Sequence, residues 1–122
     1  MVTEDQLSAL AMALPEVEAG ANGAQIAYSV GGKGLAWGYV ARPAPKAKRV
    51  LVPGVIAVRC RNETKEMLIV AAPDRFFTDD HYRGYPAVLV RLAEIEADEL
   101  AGLLREAWRI VAPKAVARRW EV

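Results

Sequence analysis

His81 is the only side chain of the sequence that ordinarily titrates near neutral pH, and Cys60 is its only thiol. A Cys–His pair becomes a nucleophile when the base lies within hydrogen-bond reach of the sulfur and donors await an oxyanion. The sequence carries no signal for either, so no catalytic residue is assigned and enzyme activity is not expected. One cysteine and one histidine exclude an internal disulfide and leave no Cys/His zinc set, so no metal or other cofactor is expected. His81 sits in Phe76-Phe77-Thr78-Asp79-Asp80-His81-Tyr82-Arg83-Gly84-Tyr85-Pro86, a loop-like run that sets Asp79 and Asp80 within reach of the imidazole. Gly31-Gly32-Lys33-Gly34 lacks the spacing and the following hydroxyl of a phosphate loop, and it joins two strands, so it reads as a hairpin turn. The acidic residues Glu94, Glu96, Asp98 and Glu99 suit the positive end of a helix better than a metal cage.

Charge is segregated along the chain. From Ala19 to Asn62 there is no carboxylate, while Lys33, Arg42, Lys46, Lys48, Arg49, Arg59 and Arg61 fall in that stretch. Over residues 63–106 carboxylates outnumber basic residues. A basic face attracts phosphate through Coulomb force and counterion release. Arg59 and Arg61, on a strand beside a hairpin bearing Trp37 and Tyr39, would suit a nucleic-acid platform, although the two aromatics read first as core residues. A second basic group, Arg105, Arg109, Lys114, Arg118 and Arg119, is accounted for in part by the negative end of a helix. The net charge of +1 is far below that of a dedicated DNA-binding domain.

The elements that position these residues follow from periodicity. With 122 residues, 53% of them hydrophobic and 25% charged, the chain can bury the core of a single domain spanning 1–122. Thr3 and Gln6 form a capping box for a helix carrying Leu7, Leu10, Ala11 and Leu14 on one face, with Pro15 as its stop. Ile26, Tyr28 and Val30 alternate as a strand, and Leu35, Trp37 and Tyr39 alternate across the glycine turn, which makes a β-hairpin. The Pro- and Lys/Arg-rich residues 41–49 form an exposed connection. Val50–Val52 is a short strand, Pro53-Gly54 a turn, and a strand from Val55 sets Ile56, Val58 and Cys60 opposite Ala57, Arg59 and Arg61. Residues 63–72 read as strand at Ile69-Val70. Asn62 as N-cap, Glu63 and Glu66 in the first turn and Pro73 beyond the end favour a helix. Tyr85 to Leu92 is apolar on both faces except at Arg91, as an interior strand is. Leu100, Leu103, Leu104, Ala107, Trp108 and Val111 form a helical stripe over about 97–112, and Lys114 to Trp120 add a further turn or two. The fold class expected is α/β of the α+β kind: a mainly antiparallel sheet with helices packed on one face, in the order α-β-β-β-α-β-α.

Several segments together resemble the MmcQ/YjbR family of small bacterial proteins. They are Leu14-Pro15-Glu16-Val17-Glu18, the hairpin with Gly32-Lys33, Pro73-Asp74-Arg75-Phe76-Phe77, the run His81-Tyr82-Arg83-Gly84-Tyr85-Pro86-Ala87-Val88-Leu89-Val90-Arg91-Leu92, and Ala107-Trp108-Arg109 with Ala112-Pro113-Lys114. The resemblance implies a CyaY-like α+β fold, also described as a double-wing DNA-binding fold, and supports a helix at 63–72. It implies DNA binding too, a label that rests on fold analogy.

The function expected is therefore a non-enzymatic DNA-binding module. Arg42, Lys46, Lys48, Arg49, Arg59 and Arg61 would contact phosphates weakly, salt-sensitively and with little sequence preference. The alternative is a protein- or small-ligand-binding domain centred on the His81–Tyr85 loop, with His81, Tyr82, Tyr85, Arg91 and Trp108 around the ligand. The start Met1-Val2-Thr3-Glu4-Asp5 lacks the basic and apolar regions of a signal peptide, and no apolar run is long enough to span a bilayer, so a cytoplasmic location is expected.

Overall fold

The computed structural model describes residues 1–22 and 25–120. Among these, helix α1 (Glu4–Met12) is followed by strands β1 (Glu18–Asn22), β2 (Gln25–Val30), β3 (Lys33–Ala41) and β4 (Val50–Arg59). Helix α2 (Asn62–Ala71), strands β5 (Phe76–Phe77) and β6 (Ala87–Arg91), and helices α3 (Ala97–Val111) and α4 (Lys114–Arg119) complete the order. The strands form one six-stranded sheet, β1-β2-β3-β4-β6-β5, with every neighbouring pair antiparallel. The expected α+β class stands.

Local chemistry accounts for most of the boundaries. Thr3 Oγ1 accepts from the Gln6 N–H at 3.1 Å and Gln6 Oε1 accepts from the Thr3 N–H at 2.8 Å, which closes the capping box of α1. Gly31 and Gly32 have φ of 58° and 81°, the left-handed pair that a two-residue hairpin turn requires. A Cβ at Gly31 would lie 2.5 Å from Pro113 Cγ, so the turn also needs glycine for space. β6 is interior as expected, bonded to β4 on one side and β5 on the other.

Four expectations need correction. β4 is one strand of 10 residues running through Pro53-Gly54. The pairing with β3 shifts there, so on that side Val52 to Val55 have only Tyr39 opposite them, and this irregularity absorbs a proline that has no ladder N–H to give. Strand β1 was not expected: its Glu-Ala-Gly-Ala stretch has no apolar alternation and lies at the exposed edge of the sheet. The third correction is that Tyr85 and Pro86 precede β6, because the Tyr85 N–H turns back to the Tyr82 carbonyl at 2.9 Å. Finally, α2 forms where the cap residues favoured it, but Arg61 is its N-cap and Asn62 its first residue.

The two faces of the sheet are closed differently. On one, α1 and α3 pack with Tyr28, Val30, Leu35, Ile56, Val58, Val88 and Val90, and Leu100, Leu104 and Trp108 are at most 2% exposed. Leu68 and Ile69 of α2 and its C-cap Ala72 join the same core. The helices therefore lie on one face. Among the described residues no helix covers the other. There Tyr39, Ala57, Ala87 and Leu89 are closed over by Tyr82, from the segment between β5 and β6.

Candidate functional site

The helix-free face carries a chain of aromatic rings. Phe77 meets Tyr39 at 6.0 Å, Tyr39 meets Tyr82 at 5.9 Å, Tyr82 meets Tyr85 at 5.9 Å and Tyr85 meets Trp37 at 6.2 Å between centroids, every pair edge-on. Strand alternation places Trp37 and Tyr39 on this side, and the turn from Asp79 to Tyr85 lays Tyr82 across them. Tyr39 and Tyr82 are buried, Trp37 is half-buried and Tyr85 is 42% exposed. The outer ring positions alone meet solvent.

Two polar anchors hold the segment down. The Tyr39 hydroxyl donates to one oxygen of Asp79, whose other oxygen accepts the Tyr82 N–H at 2.8 Å. Burial alone would raise the Asp79 carboxyl. The bonds from the Tyr39 hydroxyl and from the Tyr82 and His81 N–H groups outweigh it and hold the carboxyl below its usual value. The same contact, added to burial, pushes the Tyr39 hydroxyl up to about 12. The second anchor is Lys65 of α2, 4% exposed and the one buried charged side chain among the described residues. Its ammonium donates to the Tyr82 carbonyl and, at 3.0 Å, to the Tyr85 carbonyl. Burial pushes its pKa down, which the attraction of the Asp79 carboxylate opposes in part. Trp37 Nε1 donates to the Tyr82 hydroxyl at 2.9 Å and fixes that ring.

Cations surround the rings. The Arg59 guanidinium carbon lies 5.3 Å from the Trp37 ring centre and 5.6 Å from that of Tyr85, and its Nε donates to the Gly34 carbonyl at 3.2 Å. Arg49 lies against His81, with Nη2 2.8 Å from Nδ1 and Nη1 3.2 Å from Nε2. A neutral imidazole has one nitrogen lone pair and the guanidinium only donates, so one of these two approaches is a hydrogen bond. Arg42, Arg49, Tyr39, Asp79, Asp80 and His81 line a cleft of ≈ 370 Å³. His81 also borders a neighbouring cleft of ≈ 180 Å³ walled by Trp37, Tyr82 and Tyr85.

Part of each of the two sets of residues expected from sequence as alternatives thus shares one surface. Arg42, Arg49 and Arg59 meet the rim formed by His81, Tyr82 and Tyr85. Lys46 and Lys48 stay exposed on the connection, and Arg61 is exposed at the start of α2 and not on the strand face beside Arg59. Among the described residues none of these six cations forms an ion pair, whereas Arg75, Arg83, Arg109 and Arg119 all do.

Two expected ligand residues are elsewhere. Trp108 is 2% exposed in the helix-side core, donating to the Pro15 carbonyl at 2.8 Å, because its place in the apolar stripe of α3 turns it inward. Arg91 stacks 4.1 Å from the Phe77 ring centre and donates to the Pro73 and Asp74 carbonyls, so it braces β5 and lines neither cleft. Cys60 also belongs to the helix-side core. Burial pushes its thiol up to about 11, and no dyad with His81 forms. Asp79 reaches His81 through the backbone N–H, while the ring faces Arg49. Among the described residues no three His, Cys, Asp or Glu side chains converge as a metal set. No helix among them is long and apolar enough to cross a membrane.

Sequence reasoning missed Lys65. The signal was present: Lys65, Leu68, Ile69 and Ala72 share one helical face, so a lysine lies on the buried stripe of α2.

A family model, YjbR, matches residues 12–110. The chain belongs to the YjbR family. Its match runs from the last residue of α1 to the penultimate residue of α3 and includes the aromatic face and both clefts. The uncharacterized protein Rv2570 of Mycobacterium tuberculosis is 41% identical, over 75% of this YjbR chain and 76% of its own length. The uncharacterized protein Mb2600 of Mycobacterium bovis matches to the same extent. The crystal structure of Deinococcus radiodurans protein DR2400, with a DUF419 domain, is similar with a TM-score of 0.67 and 21% identity, covering 98% of this chain and 88% of that one. At that identity the likeness concerns the fold.

Proposed function

We propose that this protein is a non-enzymatic nucleic-acid-binding module whose helix-free face takes phosphate through Arg42, Arg49 and Arg59. One observation carries the reading: among the described residues these arginines form no ion pair, and they gather around the exposed edge of an aromatic cluster, beside clefts that share His81. Unneutralised guanidinium groups suit phosphate oxygens in geometry and charge. Lys46, Lys48 and Arg61 add to the positive field at its margins. Contacts of this kind hold the backbone and read no sequence, so binding is weak and falls steeply with salt.

The test is a titration of the full chain against a labelled random-sequence DNA duplex at two salt concentrations. Binding at low salt should collapse at the higher one. Arg42→Ala with Arg49→Ala should lower affinity and reduce the salt slope by about 0.9 for each phosphate contact removed. Unchanged affinity and slope in that variant would exclude this face, and no binding at low salt would exclude the function.

A second reading is supported by the cleft that Arg42, Arg49 and His81 share with Asp79 and Asp80, whose ≈ 370 Å³ suits a small polar ligand with an anionic group for the arginines. A small anion that shifts the His81 and Tyr82 resonances in a chain that ignores DNA would favour it.

A further inference from the structure

We infer that this face prefers single-stranded to duplex nucleic acid, seating one unstacked base in the cleft between Trp37, Tyr82, Tyr85 and His81; the inference rests on the phosphate-binding reading above. Among the described residues the cleft is lined by Trp37, Tyr82, Tyr85 and His81, all ring-bearing, and its ≈ 180 Å³ has room for one planar ring system. Tyr85 stands edge-on to Trp37 and Tyr82, at 82° and 87°, and is 42% exposed, so with the exposed His81 it is the ring open to a base at the cleft mouth. Arg59 packs on Trp37 and Tyr85 but is absent from the lining, which leaves the interior free for a base while a cation stays beside it. At the opposite rim Arg49 lies on His81. A strand laid from Arg42 and Arg49 toward Arg59 would carry its phosphates past both rims and present a base between them.

One polar group is set to meet that base. The Tyr82 hydroxyl accepts from Trp37 Nε1, which leaves its own proton to donate, and among the described residues no protein acceptor takes it. A base carbonyl would. The rings of a duplex are already stacked, and extracting one costs a few kcal/mol. Duplex DNA would therefore engage the arginines alone, whereas a single strand would add stacking.

The experiment compares an oligothymidylate with a duplex of equal length, at one low salt concentration, by anisotropy and tryptophan fluorescence of the full chain. The single strand should bind about ten-fold more tightly and quench tryptophan emission. Tyr85→Ala should abolish the preference and leave the salt slope in place, and Trp37→Phe should remove the quenching. Tyr85 is on the surface, so its variant is expected to fold. Equal affinity for the two nucleic acids, unchanged in Tyr85→Ala, would overturn the base seat and leave phosphate binding standing. Failure of both to bind would overturn the two together.

Discussion

The two faces of the sheet are built from different materials. The helix-covered face is closed by aliphatic side chains and Trp108 interlocked between β-strands, α1 and α3. The other face is closed by aromatic rings meeting edge-on, held by Asp79 and Lys65 and bordered by arginines that form no ion pair among the described residues. Apolar burial is non-directional and adds up, so the first face supplies most of the stability. Hydrogen bonds to ionised groups are directional and few, so the second supplies shape. A face whose closure depends on a few polar anchors can end in an exposed ring edge with free cations, which a packed helix layer has no room for.

Truncation of the first face should produce the largest loss. Trp108→Ala removes a buried ring and leaves the Pro15 carbonyl without its donor, so urea unfolding should show a loss of about 3–5 kcal/mol. A loss below about 1 kcal/mol would mean that the helix layer does not carry the fold. Lys65→Met should cost less, about 2 kcal/mol, because the apolar stem can still pack while two carbonyls lose their donor. Amide exchange should then quicken across Asp79–Tyr85 and stay slow in α3. Uniform quickening would erase the distinction between the faces.

Acid should act on the second face too. The folded Asp79 carboxyl lies below its ordinary value, so its stabilisation is complete above the usual carboxylate range of about 4 and is lost as pH falls through the folded value. Asp79→Asn should therefore cost about 1–2 kcal/mol at pH 7 and show a shallower decline in stability on acidification than the parent. Equal slopes would mean that the anchor is not ionised in the fold. The smallest effect is expected at Cys60. With its thiol pushed up to about 11 by burial, alkylation at pH 8 should be slow in the folded chain and fast in urea. Rapid labelling of the folded chain would place the sulfur outside the core.

The first face was legible in the sequence because apolar periodicity encodes it. The capping box at Thr3, the hairpin around Gly31-Gly32 and the stripe of α3 each carry a local signal that tertiary packing did not override. β1 and β5 were not legible, since one is a run of small exposed residues and the other is only Phe76-Phe77, both held by pairing to neighbours. The strand through Pro53-Gly54 depends on an irregularity opposite Tyr39 that no local rule supplies. At the site, the residue types were legible and their grouping was not. Arg49 and His81 are far apart in the chain and meet because the segment between β5 and β6 lies back over Tyr39, while the spacing of Trp108 in α3 already turns it toward the core and away from the loop.

The central claim is that the helix-free face is the one that meets nucleic acid. Mapping backbone and tryptophan-indole NMR shifts of the full chain during addition of an oligonucleotide tests it most directly. Shifts gathered at Arg42, Arg49, Arg59, His81, Tyr85 and the Trp37 indole, with α1 and α3 silent, are the predicted result. Shifts gathered instead around Arg105 and Lys114 on the helical side, or none at all, would contradict it.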